Sequence, residues 1–272
     1  VPLPEWYHHH HRALSLALAI FAGTALCALH AHAAGLSDDR AFALYRQAIA
    51  AMEAKDYAAA RQHAAAAVAE YPGHLLAHYL LGQAAAAESK WADAAASFAK
   101  VAELYPRSFA AHREHGMALE RLGRADDAAR AWETALAILP DDEEVRGRLA
   151  FLLLDQKQPD RALPHLVYLT EHRTAIPAVW SALGRAQYER GDLASAERAL
   201  SRAAELEDSG RNWFNLGVVR LRLGDRAGAL KAFERAAKHA ETREPAQREI
   251  RALSTVIPPS ILREAPTGPP RP

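Results

Sequence analysis

Small and large apolar positions alternate along this chain with a period of 34 residues. The small position is held by Ala48, Gly82, Gly116, Ala150, Gly184 and Gly217, at intervals of 34, 34, 34, 34 and 33. A second register holds Ala60, Ala94, Ala128, Ala162, Ala196 and Ala229, and a third holds Ala67, Val101, Ala135, Leu169, Ala203 and Ala236. Between those two lies a bulky slot: Ala64, Phe98, Trp132, Leu166, Leu200 and Phe233. A unit of this length accommodates two helices of roughly 14 residues and two short turns, and one such hairpin cannot bury its own apolar face, so copies must stack. Two helices approach to about 8 Å only where one presents almost no side chain and a neighbouring knob fills the space above it.

The punctuation agrees with that period. Pro72, Pro106 and Pro140 stand just past alanine-rich helices, where proline stops a helix and the chain reverses. Asp56, Gly123, Gly191-Asp192 and Gly224-Asp225 mark the turns inside units, as a left-handed C-cap followed by an N-cap requires.

Trp180-Leu183-Gly184-Ala196-Leu200-Ala203 and Trp213-Leu216-Gly217-Ala229-Phe233-Ala236 closely resemble the motif of the tetratricopeptide repeat (TPR) family. The resemblance implies an all-α, right-handed superhelical solenoid of about six helical hairpins plus a C-terminal capping helix. The units are placed at residues 41–74, 75–108, 109–142, 143–176, 177–209 and 210–243, after a short linker at 34–40. The fourth unit departs from the pattern, with Thr174 in place of proline and Pro159 and Pro164 around its second helix, so looser stacking is expected there. The fifth ends on Asp208-Ser209-Gly210 rather than on a proline turn. A helix at 244–256, with Ile250, Leu253 and Val256 on one side, would cover the last hairpin. The proline-rich segment 257–272 cannot continue it and reads as disordered.

Residues 1–33 stand outside the repeats. Arg12, the apolar run from Ala13 to Leu29 and the small-x-small site Ala31-His32-Ala33 have the order of a secretory signal peptide. The expected compartment is therefore periplasmic or extracellular, with an uncleaved inner-membrane anchor as the alternative, since the run is at the short limit for a spanning helix. Cys27, the single cysteine, follows Leu26, which a lipoprotein signal would not tolerate.

Charge and chemistry then narrow the function. Lys and Arg number 33, as do Asp and Glu, so no net field steers the chain toward nucleic acid. Serine lacks a nucleophile turn, no glycine loop could cradle phosphate, and the glycines answer to repeat packing, so neither an enzyme nor a cofactor is expected. His78, His112 and His115 could approach one another, but they occupy packing slots and no cysteine or carboxylate completes a metal set.

In the family the first helix of each unit lines a concave groove. Carrying that positional pattern onto this chain selects Tyr45, Tyr79, Gln83, Arg113, Met117, Arg121, Arg185, Tyr188, Phe214 and Arg222 as the partner-binding residues. The same face includes Phe42, Ile49, Met52, Phe151, Asp155 and Glu189. Aromatic and arginine side chains are common anchors of binding surfaces. The chaperone-type carboxylate clamp is absent, because Tyr45, Ile49 and Leu80 stand where it needs Lys, Asn and Asn. The resemblance thus implies an extracytoplasmic scaffold that binds a protein or peptide, for example in an outer-membrane or exopolysaccharide-export assembly. A glycan-binding accessory module, with Tyr79 and Tyr188 stacking on sugars, is the alternative.

Overall fold

The computed structural model describes residues 37–172 and 175–256. The signal segment, Cys27, Thr174 and the proline-rich tail therefore lie outside the described residues. Thirteen helices are present among the described residues, and no strand: α1 (Ser37–Glu53), α2 (Tyr57–Glu70), α3 (Leu75–Ala87), α4 (Trp91–Leu104), α5 (Phe109–Arg121), α6 (Ala125–Ile138), α7 (Glu143–Asp155), α8 (Pro159–His172), α9 (Pro177–Glu189), α10 (Leu193–Leu206), α11 (Gly210–Arg222), α12 (Arg226–Ala236) and α13 (Arg243–Val256). They form two compact units, Val1–Pro140 and Asp141–Pro272. In each unit every helix packs on its successor, and first helices of adjacent hairpins also meet, α1 with α3 and α7 with α9. The first helix begins at Ser37, inside the segment read from sequence as a linker.

The small register works because it faces the bulky one. A Cβ added to Gly82 would come within 2.7 Å of the Phe98 ring, one on Gly184 within 2.5 Å of Leu200, and one on Gly217 within 2.7 Å of Phe233. The knob above each small residue is thus supplied by the second helix of the same hairpin, 16 residues further on. In the first hairpin both positions are alanine, Ala48 and Ala64, and they share a buried cluster with Leu80.

Turns inside the hairpins share one backbone solution. Gly123, Gly191 and Gly224 have φ of 73°, 83° and 84°, and at the corresponding positions of the other hairpins Lys55, Ser89 and Lys157 have φ near 60°. Asp56, Asp192 and Asp225 follow and accept from the backbone N–H groups of Ala59, Ser195 and Gly228, which closes the first turn of the next helix. Pro159 is the first residue of α8, where its missing N–H is not needed, and the helix continues through Pro164 to His172.

The joints between hairpins also repeat. His78 Nε2 donates to the carbonyl of Pro72 at 2.9 Å, and His112 Nε2 to that of Pro106 at 2.9 Å. Trp213 Nε1 performs the same service on Asp208 Oδ1 at 2.5 Å, where the fifth hairpin lacks a proline. At the end of the array α13 buries Ala246 and Leu253 against Ala229, Phe233 and Ala236, with Ile250 packed beside them.

Candidate partner-binding faces

Of the ten face residues selected from sequence, Arg121 and Arg222 are exposed and the other eight are half-buried. In the first unit the aromatic members belong largely to the packing. Tyr45 lies against the Ala48, Ala64 and Leu80 cluster, with its ring 5.1 Å from that of His74. Tyr79 meets Phe98 edge-on at 5.5 Å. Burial, and then the nearby Glu114 carboxylate, push the Tyr79 phenol well above its ordinary range, so it stays protonated at any physiological pH. Arg113 bonds Glu114 through Nη2 at 2.6 Å and also approaches the Tyr79 hydroxyl. Arg121 lies over the Trp91 ring, 4.5 Å from its centroid. Gln83 and Met117 are half-buried on the same first-helix face. Phe42 is the large apolar group this face leaves to solvent, 41% exposed, with Arg46 stacked 5.7 Å from its ring.

The second unit shows the same division. Arg185 reaches across from α9 to the end of α7, donating to Leu154 O at 3.0 Å and Asp155 Oδ1 at 3.2 Å, while its Nε bonds Glu189 at 3.0 Å. Burial works against its charge, but the bonds to Glu189 and Asp155 outweigh that and raise its pKa. Lys157 completes the group at 3.3 Å from Glu189. Tyr188 packs on the cluster of Ala196, Leu200, Leu216 and Val219, and Phe214 lies 5.4 Å from Phe233. Arg222 projects from the last turn of α11.

Sequence spacing therefore gathers these residues onto first helices but does not show which are already engaged. Trp91, which holds Arg121, was missed because it belongs to a second helix; its aromatic character beside a turn was the one available signal. Among the described residues no three His, Cys, Asp or Glu side chains stand close enough to hold a metal ion. No helix among them is long and apolar enough to cross a membrane.

Tetratricopeptide repeat models match residues 45–109, 79–144, 119–185 and 181–245. The chain is a tetratricopeptide repeat protein. Among curated proteins none matches it. Solved structures show the same fold: this TPR chain is similar to YrrB, a TPR protein described as having an unusual peptide-binding site, with 18% identity, a TM-score of 0.63, and coverage of 69% of this chain and 97% of the other. It is also similar to MamA from Desulfovibrio magneticus RS-1, at 21% identity and a TM-score of 0.55, covering 60% of this chain and 93% of that one. TPR proteins are typically non-catalytic scaffolds for protein–protein interaction, and this chain carries the repeat scaffold.

Proposed function

We propose that this TPR protein is a non-enzymatic, extracytoplasmic scaffold that holds a peptide segment or another protein on its first-helix faces, within a bacterial envelope assembly such as an outer-membrane or exopolysaccharide-export complex. The observation that carries the binding role is the retention of apolar and cationic groups at the solvent-facing edge of these helices, Phe42 with Arg46 in one unit and Arg222 in the other. An exposed phenylalanine costs free energy in water that a partner's apolar side chain would recover, at about 25 cal/mol per Å² buried. The peptide-binding site described for YrrB, a protein of the same fold, supports a peptide ligand. The compartment rests on the Arg12 to Ala33 leader pattern. A glycan ligand has less support, because the rings of Tyr79 and Tyr188 lie against Phe98 and the Leu200 cluster rather than standing free.

Affinity co-purification of the exported protein tests the reading. Phe42→Ala and Arg222→Ala remove exposed side chains that tie no two hairpins together and should together cut recovery of a stoichiometric partner several-fold, whereas Arg185→Ala would break a structural tie and is unsuitable. Partner recovery equal to wild type would overturn the face assignment. A mature N-terminus at Ala34 is the expected result for export, and an intact leader on cytosolic protein would overturn the compartment.

A further inference from the structure

The last hairpin and the helix beyond it carry a charge that the chain as a whole lacks. Ten Lys and Arg stand against five Asp and Glu between Gly210 and Val256, while residues 37–209 hold 20 of the basic and 26 of the acidic type. Part of this excess converges on one groove of about 420 Å³, floored by Trp213 and Arg220 of α11 and walled by Lys231, Glu234, Arg235 and Lys238 from α12 and the turn after it. Its cations differ in what holds them. Arg220 is committed to Glu197, at 2.8 and 3.0 Å. Arg235 lies 4.9 Å from the Trp213 centroid and only at 3.6 Å from Asp208. Lys231 and Lys238 are exposed, and among the described residues no carboxylate pairs with either.

We propose that this groove docks an acidic, extended segment of a partner protein. Lys231 and Arg235 are one helical turn apart, a rise of about 6 Å. Alternate side chains of an extended strand point the same way at about 6.6 Å, so two carboxylates separated by one residue meet these two cations in register. Lys238 then receives a third acid, and half-buried Trp213 offers apolar surface to a neighbouring side chain. Phosphate polymers fit less well, since Glu234 lines the groove, Glu197 and Asp208 border it, and the preceding hairpins are net acidic. The cations that would hold the ligand, Lys231, Arg235 and Lys238, belong to α12 and the turn after it and not to the first-helix residues invoked above, so either reading can fail without the other.

Fluorescence anisotropy on the full chain with three probes tests the proposal: a labelled peptide with glutamates at alternate positions around a leucine, the same peptide with glutamines, and a single-stranded oligothymidylate of equal length. The glutamate peptide should bind at low salt and weaken as ionic strength rises toward about 0.3 M. The glutamine peptide should bind at least tenfold more weakly. Lys231→Glu with Lys238→Glu should lose tenfold or more in affinity, the milder Lys231→Gln with Lys238→Gln several-fold, and Glu234→Lys should gain, while Lys100→Gln on α4 changes nothing. No binding of the glutamate peptide, equal binding by the oligothymidylate, or unaltered affinity in the glutamine-substituted protein with an unchanged melting curve would each overturn it. A concentration-dependent dimer seen by ultracentrifugation and abolished by the charge reversals would also do so, since the occupant would then be a second copy.

Discussion

Each glycine of the small register has a side chain parked where its Cβ would be. At Gly116 an added methyl would strike the indole of Trp132, which is fully buried and donates from Nε1 to the Arg113 carbonyl at 3.2 Å. Gly116→Ala should therefore cost about 1–3 kcal/mol by overpacking. The fourth hairpin carries Ala150 and Leu166 at the same two positions, so Gly116→Ala with Trp132→Leu should lose less in urea unfolding than the two single losses added together. A simple sum would show that the two side chains do not compete for space. His115 provides a second check. Burial, followed by the charges of His112 and Arg124, holds its pKa below the ordinary histidine value. The unfolded chain then takes up a proton near pH 6.5 while the folded chain resists it, so stability falls as pH drops below about 6.5. His115→Gln should show a smaller fall in melting temperature between pH 7.5 and 5.5 than wild type, and equal falls would count against this account. The histidines were legible as packing residues from their register, but the bonds of His78 and His112 to Pro72 and Pro106 were not, since only folding brings a hairpin onto the previous turn.

Among the helices and turns, the chain's punctuation was readable wherever the residue type advertises its geometry. Glycines 123, 191 and 224 and the aspartates at 56, 192 and 225 announced left-handed turns and N-caps. Lys55, Ser89 and Lys157 adopt the same left-handed backbone without announcing it, because repetition of the hairpin imposes the conformation on whatever residue falls there. For a non-glycine residue that conformation costs on the order of 1 kcal/mol. Ser89 is exposed and among the described residues its side chain makes no hydrogen bond, so Ser89→Gly should raise the melting temperature by an amount equivalent to about 0.5–1 kcal/mol, with Gly123→Ala moving it the other way. A fall on Ser89→Gly would refute the argument. Helix α1 likewise starts earlier than its apolar pattern, at Ser37, because polar residues can lengthen a helix that later packing already holds.

Across the whole molecule, contacts run between neighbours, so damage should stay local. Leu253 is 5% exposed in the cap, and Leu253→Ala should cost about 2–3 kcal/mol. Hydrogen exchange should then accelerate in α12 and α13 and remain unchanged over residues 37–140. Uniform acceleration would mean that the two compact units unfold as one. The period, the hairpins and the pairing of small with large positions were determined by sequence alone, because those contacts join residues 16 apart within one hairpin and recur in the second, third, fifth and sixth copies. Only the tertiary structure decided which face residues are available. Arg121 on Trp91 and Arg185 on Leu154 and Asp155 are ties between different hairpins. Such ties depend on how far one long side chain reaches toward another, and the spacing of residues along a chain carries no record of that reach.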